Sequence, residues 1–577
     1  GLDGCGVTTY GPGTGLVGNS NYLGYKSPCA VGSWVAGGLQ LNMPTICICM
    51  SLRGAAGFAS GGPLFERITQ TPEHPLVTGP AFDMRAEQTP SGDWPTHRGG
   101  VARSGASPAT VPTEAQVAWQ IAPEHPFAIR PFHNLHAMVF DERPVPPIIA
   151  SGLCYSTGSD GVVSAHDLAS GALRWRTSVD GPVLTPPAVH RGRLFVPGGD
   201  GWLYALDAAS GELVWKRRLA PMARRTLCFD QLMSTWPVLS LVAAEDRVYA
   251  SAGMDPTNGA TSFALATNDG AIIWQRVHPP QVSREAIGKQ GLAGHVSLIG
   301  ERLWTAGFRS LPLCLDRSDG SDHLEGLKAK LAHQRDFNAV KRLYTDQGGQ
   351  DVIALGEGHV LIGGAHLLEE QHMRTAKRGV RSYRLVRVDE HGDWSLQADG
   401  PVDMVIRNAR IAPACDGELI AFAAPRPLYK DKHGTIKPTR TVGRATQGLN
   451  IWTIERFLAA AHGSAKRTIA KEIEDRVELP RFGRGAFDVL PHDQADWRLP
   501  ELDCSAVALA ANAVVVAHAA GIEELNTEDR REPTFRYTGW KLSALARDDG
   551  KELWSLDLPG EPLYNGLAIA GNGAILV

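Results

Sequence analysis

Two stretches, GSDGVVSAHDLASGALRW at residues 158–175 and GGDGWLYALDAASGELVW at residues 198–215, align without a gap at an offset of 40 residues. Each begins with an Asp-Gly pair, Asp160-Gly161 and Asp200-Gly201, a favoured two-residue hairpin turn. Alternating strand residues follow, then a second turn at Ser-Gly and a last strand ending in Trp. Two hairpins within forty residues predict one four-stranded sheet per copy, and repetition at this period predicts a repeat architecture.

The shared frame A-x-D-x-x-x-G-x-x-x-W is filled by Ala165, Asp167, Gly171 and Trp175, and again by Ala205, Asp207, Gly211 and Trp215. In it Asp caps the turn, Gly accepts a positive φ, and Trp offers a broad face to a neighbouring sheet, so these residues read as structural docking positions. Weaker copies carry Ala264, Gly270 and Trp274; Asp316 and Gly320 without a Trp; a shortened turn ending at Trp394; and Ala544, Gly550 and Trp554.

This frame resembles the pyrroloquinoline-quinone (PQQ)-like propeller repeat, a family that includes quinoprotein dehydrogenases and BamB-like envelope propellers and is related in architecture to WD40-like repeats. The resemblance implies an all-β fold, an eight-bladed β-propeller with tryptophan-docking repeats. Units fall at about 131–175, 183–215, 234–274, 291–320, 350–394, 402–455 and 504–554, with a final inner piece at 561–577. Trp119 falls at the repeat's Trp position, just after DWPTHRGG (93–100), a stretch similar to the start of many propellers of this family. A strand around it would complete the eighth blade and remove the open sheet edge.

Residues 1–70, rich in Cys and Gly, read as the end of a preceding propeller, of which they form a partial blade, as in the tandem-propeller proteins of planctomycete type. Residues 71–92 read as a linker, and 93–577 as the propeller with insertions near 425–445 and 455–500, the second containing the helical pattern IERFLAAAH. The chain opens without Met and ends within an apolar run, which reads as a fragment or a processed chain.

Composition sets limits on function. Lys+Arg 57 against Asp+Glu 61 leaves a formal net charge of −4, which offers no general attraction to nucleic acid. No window approaches the ~20 apolar residues of a membrane span, so the chain reads as soluble, with no transmembrane segment. Nine cysteines include no CxxC pair, which removes zinc-ribbon readings. Cys5, Cys29, Cys47 and Cys49 are disulfide candidates, and their use points to the periplasm or cell envelope, as the resemblance does.

Candidate ligand-binding residues lie where inner strands begin and line the central channel. They are Arg224, Arg225, Asp230, Gln231 and Trp236 in MARRTLCFDQLMSTWPV, with His295, Arg407, Asn408, Asp503, Tyr564 and Asn565. Such a mixed polar funnel, with Arg for carboxylate or sulfate, suits ligand recognition, or equally a hydrated structural channel. HNLH offers two imidazoles, His133 and His136, to a metal, and His295, His359, His366 and His372 could do so from separate blades, but most such histidines are ordinary surface or core residues and no metal is expected.

The resemblance implies further requirements for a quinoprotein enzyme: adjacent cysteines, a tryptophan floor and Glu/Asn/Asp ligands for calcium. No two cysteines are adjacent. The leading expectation is therefore a non-catalytic ligand- or protein-binding propeller of the cell envelope, with envelope proteins or glycans as partners and no cofactor. The alternatives are a divergent PQQ-dependent oxidoreductase, which would hold PQQ with calcium, and a propeller-type polysaccharide lyase. Catalytic residues cannot be assigned from the sequence.

Overall fold

The structure, a computed structural model, describes residues 8–11, 15–19, 33–36, 39–45, 54–59, 73–84, 93–121, 145–223, 225–228, 231–253, 259–278, 294–305, 312–325, 351–356, 358–363, 384–393, 412–424, 428–430, 436–438, 448–464, 467–468, 481–482, 494–524, 535–563 and 565–577. The fold is an all-β propeller of consecutive antiparallel meanders, with at least six blades.

Strands are numbered along the chain. β1 (Thr8–Gly11) pairs with β2 (Gly15–Asn19), and β3 (Ser33–Ala36), β4 (Leu39–Thr45) and β5 (Gly54–Ala59) form a separate sheet. After β6 (Leu76–Thr78), the first sheet of the propeller is β7 (Ile148–Ala150), β8 (Leu153–Thr157), β9 (Val162–Asp167) and β10 (Leu173–Ser178). The second is β11 (Ala188–His190), β12 (Arg193–Pro197), β13 (Trp202–Asp207) and β14 (Leu213–Arg218). A hairpin of β15 (Arg225–Cys228) and β16 (Gln231–Ser234) leads to the third: β17 (Val238–Ala244), β18 (Arg247–Ala252), β19 (Ala260–Ala266) and β20 (Ile272–His278).

The fourth sheet is β21 (Val296–Ile299), β22 (Arg302–Thr305) and β23 (Leu313–Asp316), and the fifth is β24 (Asp351–Gly356), β25 (His359–Gly363) and β26 (Arg384–Arg387). In the sixth, β27 (Ala412–Cys415) and β28 (Leu419–Ala424) are followed by a hairpin of β29 (Leu428–Lys430) and β30 (Ile436–Pro438), then by β31 (Gly448–Thr453). Helix α1 (Ile454–Ser464) and the pair β32 (Arg467–Thr468) and β33 (Arg481–Phe482) intervene before the sheet's fourth strand, β34 (Trp497–Leu499). The seventh sheet is β35 (Cys504–Leu509), β36 (Ala513–Glu524), β37 (Phe535–Ala546) and β38 (Glu552–Leu558); β39 (Ala568–Ile569) and β40 (Ile575–Leu576) close the chain as a pair.

Where the sequence reading placed a helix, α1 forms. Ile454, Phe457 and Leu458, at i, i+3 and i+4, sit in one core cluster with Trp452 and Phe422. The unit expected at 402–455 extends past this insertion, because β31 pairs with β34 from its far side. Within the stretch read as a linker, β6 adds a fifth strand to the outer edge of the second sheet, with Trp215 opposite Thr78 and Arg217 opposite Leu76.

The docking frame explains how neighbouring sheets lock. In four copies the Ala pairs across the hairpin with the Trp, as Ala165 with Trp175, Ala205 with Trp215, Ala264 with Trp274 and Ala544 with Trp554, and a bulge adjoins each pair. The small Ala leaves room, and the bulge turns the indole toward the next sheet. Trp175 Nε1 donates to the Ala208 carbonyl at 3.1 Å, one residue past Asp207, and its ring lies against Gly211. Trp215 repeats this on Thr267 and Gly270, and Trp274 on Arg317 and Gly320.

Trp497, which the sequence reading missed, does the same on Arg547 and Gly550. Trp394 lies outside the described residues. Asp167 holds the receiving turn by accepting from the Ser170 amide and hydroxyl at 2.9 and 2.8 Å. Gly211 is required twice over: its φ is +76°, and a Cβ there would stand 2.5 Å from the Trp175 ring.

Because Trp215 is fully buried and joins two sheets, Trp215→Ala is expected to cost ~3–5 kcal/mol, as for large aromatic truncations in well-packed cores. Leu173→Ala, on an exposed position of β10, should stay within ~0.5 kcal/mol. Equilibrium urea unfolding of both variants checks this, and comparable losses would mean the indole is not the lock.

Candidate functional site

The first strand of each sheet presents an inner edge whose backbone groups need partners. One segment, residues 93–111, supplies them in order around the ring. Trp94 O accepts from the Ile149 amide of the first sheet at 2.9 Å, and Pro95 O from the Val189 amide of the second at 2.7 Å. Val101 O accepts from Leu298 of the fourth sheet at 2.9 Å, Ala102 O from Ala354 of the fifth at 3.4 Å, and Ser104 O from Cys415 of the sixth at 2.8 Å. Ser107 N then donates to Leu509 O of the seventh at 2.8 Å, while Leu509 N donates to Gly105 O at 3.0 Å. This segment is the hub of the propeller.

Arg103 reaches the third sheet. Its guanidinium donates to Leu241 O at 2.7 Å and to Val296 O at 3.2 Å, and within the hub to Thr96 Oγ1 at 2.6 Å and His97 O at 2.8 Å. Arg98 donates through Nε to Arg103 O at 2.9 Å and through Nη2 to Pro413 O. Both arginines take left-handed backbone, at φ +61° and +56°, a strained choice for non-glycine residues that surrounding contacts must hold. Burial pulls the Arg103 guanidinium down to about 9, opposed by the nearby Asp351, so it is still cationic at neutral pH.

Beside Arg103, three side chains from separate parts of the chain converge: His97 of the hub, His295 just before β21, and Asp351 at the start of β24. All are buried, with potential ligand atoms within 4.8 Å of one another. The two imidazoles lie 4.4 Å apart between centroids, tilted by 37°. Burial first, then for His97 the neighbouring His295, and for both the charges of Arg103 and Arg98, hold both rings far below the usual histidine range and therefore neutral. Neither ring nitrogen of His97 has a hydrogen-bond partner among the described residues.

Of the residues expected to line the channel, His295 alone enters this cluster. Trp236 belongs to the core between the second and third sheets; Asp503 is buried and accepts from the Tyr537 hydroxyl at 2.9 Å. Asn565 is buried, with both side-chain polar atoms unmatched among the described residues. Arg225 is exposed on β15, and Gln231 opens β16. Arg224, Asp230, Arg407, Asn408 and Tyr564 lie outside the described residues, as do Cys5, Cys29, Cys47 and Cys49 and the histidines at 133, 136, 366 and 372; His359 is buried in β25.

The sequence reading missed His97, Arg98 and Arg103, although the hub's opening DWPTHRGG had been singled out. An Asp, a Trp and a Gly-Gly pair before an apolar repeat were the available signal; the partners sit hundreds of residues away.

The calcium that the resemblance implies does not fit this cluster. Calcium takes oxygen ligands, and the buried donors here are two imidazoles with one carboxylate beside two guanidiniums. The described cysteines are buried thiols, with Cys154 pushed up to about 11 and Cys415 to about 12, which leaves them unreactive.

The fold and the docking geometry define a β-propeller whose sheets lock through tryptophans, and over part of its length the chain is similar to the PQQ-like repeat family. Residues 112–289 match the family model described as outer membrane protein assembly factor BamB. No curated protein matches. Among solved structures the chain is similar to BamB from Moraxella catarrhalis, at 14% identity over 52% of this chain and 76% of that one, TM-score 0.30. It is also similar to a quinohemoprotein alcohol dehydrogenase from Pseudomonas putida HK5, at 14% identity over 83% and 76%, TM-score 0.41. A europium-containing methanol dehydrogenase shares 11% identity over 84% and 88%, TM-score 0.43.

Arg103→Met should leave four acceptors without their donor and cost about 3–5 kcal/mol, the range for breaking a buried charged network from one side. Thermal unfolding at neutral pH measures it, and a loss below about 1 kcal/mol would show that the hub holds without its bolt.

Proposed function

We propose that this chain is a non-catalytic, protein-binding β-propeller of the cell envelope, which takes extended segments of its partners onto the outer edges of its blades. The observation that carries this is β6, an extended segment paired onto the outer strand β14 of the second sheet, where Trp215 is fully buried. Among the described residues, β10, β20 and β38 end their sheets with no strand beyond them. On those strands Leu173, Ile273, Val277 and Leu553 are exposed, at 55%, 42%, 57% and 39%. Main-chain pairing with an added strand would supply affinity there, and the exposed apolar side chains selectivity.

Eight blades suit this reading. Supporting them, Trp119 Nε1 donates to Leu168 O at 2.8 Å with its ring against Gly171, the docking geometry repeated at the seam of the ring. Residues 112–121 form no strand, contrary to the expectation for the stretch around Trp119, but Trp554 Nε1 donates to Pro112 O at 2.7 Å and Ala115 and Trp119 share a core cluster with Ile575 and Leu576, which supports counting them with β39 and β40 as a remaining blade. The separate sheet of β3–β5 fits the end of an upstream propeller, and the matched BamB description supports an envelope location. No described helix is long and apolar enough to cross a membrane.

The test places a photo-crosslinking amino acid at Ile273 or Val277, and at exposed Ser151 away from the outer edges, in cells exporting the full chain. Capture of a defined envelope polypeptide at the edge positions and not at Ser151, abolished by Ile273→Lys with Val277→Lys, is the expected result. Equal capture at all sites, or alcohol oxidation or uronic acid polymer cleavage by the purified chain, would overturn it.

A further inference from the structure

We propose that His97, His295 and Asp351 form a binding site for one divalent transition-metal ion of the zinc class, which ties the hub to the fourth and fifth sheets. His97 comes from the hub, His295 precedes β21, and Asp351 opens β24, so a single ion would join three segments that otherwise meet through backbone hydrogen bonds. Two imidazoles and one carboxylate are a donor set that zinc and its neighbours accept, with remaining positions free for water or a backbone oxygen.

Two observations point to an ion rather than to ordinary packing. The ligand atoms already lie within 4.8 Å of one another, and small side-chain rotations bring such a set to the ~2.0–2.2 Å bonds of zinc to nitrogen and oxygen. Independently, His97 is 2% exposed, and among the described residues both its ring nitrogens lack a hydrogen-bond partner. A buried imidazole in that condition carries a desolvation cost that a metal bond would relieve.

The surroundings also choose the ion. Neutral imidazole is the form that binds metal, and burial with the nearby Arg98 and Arg103 charges keeps both rings neutral. Those same guanidiniums oppose added positive charge. That repulsion is the same for any divalent ion, and it is offset least for calcium and magnesium, which gain little from nitrogen, and most for zinc, nickel or copper, which bind imidazole strongly. The role is structural: Arg103 already engages the hub's own Thr96 and His97 and the inner edges of two sheets, and the ion would extend that cross-link to the fifth.

The experiment strips the full-length chain with a chelator, then titrates it with zinc and, separately, with calcium. The expected results are one zinc per chain, an affinity at least ~10-fold weaker in His295→Ala and in Asp351→Asn, unchanged binding in His190→Ala, no calcium binding, and a Tm that rises with zinc as ligand linkage requires. In case the variants misfold, zinc-edge X-ray absorption of the wild-type chain reads the ligands directly, and nitrogen and oxygen donors including imidazole are expected. Stripped, folded wild-type protein that takes up no zinc, uptake unaltered in the folded variants, or sulfur ligation in the absorption spectrum would each overturn the assignment.

Discussion

The constraint on which the rest of the propeller depends is the row of backbone groups at the inner edge of each sheet. A blade is a meander, and its first strand has a partner on one side only. Edges that converge at the centre of a ring cannot all be hydrated, and an unsatisfied buried amide or carbonyl costs about 1–3 kcal/mol. The hub meets this need with one winding piece of chain whose carbonyls face the sheets in sequence. The third sheet is reached instead by the long side chain of Arg103. Blade geometry thus explains why an arginine is buried here: five donors on a planar fork can bond carbonyls that a hub amide cannot reach.

Around that centre, the outer part of the ring is held by a different interaction. Each docking Trp spends its one N–H on a carbonyl in the next sheet and its face on a glycine of the same turn. Hydrogen bond and stacking fix both distance and rotation between neighbours, which apolar contact alone would leave loose. The Asp of the frame serves the same end indirectly, since it shapes the turn that offers the carbonyl and the glycine. Two lock types, polar at the hub and aromatic toward the rim, leave the outermost strands free to differ, and the pairing of β6 on β14 falls there.

Much of the fold was legible because the lock is local in sequence. Ala165, Asp167, Gly171 and Trp175 lie within eleven residues, and a second copy repeats them. Trp497 escaped because the insertion carrying α1 separates it from β31, its own hairpin partner, and periodicity cannot see across such a gap. The polar cluster was less legible still. His295 could be placed near the channel from its position before an inner strand, but His97 and Asp351 meet it only once the ring is closed. Metal-ligand motifs are readable when one loop supplies two ligands; here three segments supply one each.

Closure itself links the two ends of the propeller. Asp93, at the start of the hub, accepts from the Ser151 amide of the first sheet at 2.8 Å and from the Gly571 amide near the C-terminal pair at 3.1 Å. At the hub's other end, Val111 exchanges two hydrogen bonds with the Asn512 side chain, each 2.9 Å. The hub precedes every sheet it serves, so its bonds to the seventh sheet close loops of hundreds of residues and gain nothing until that sheet exists. The first segment made is therefore the last to be fully bound. The strained φ values of Arg98 and Arg103 are sustained by partners distributed around the whole ring, and the integrity of the centre reports on completion of the rim.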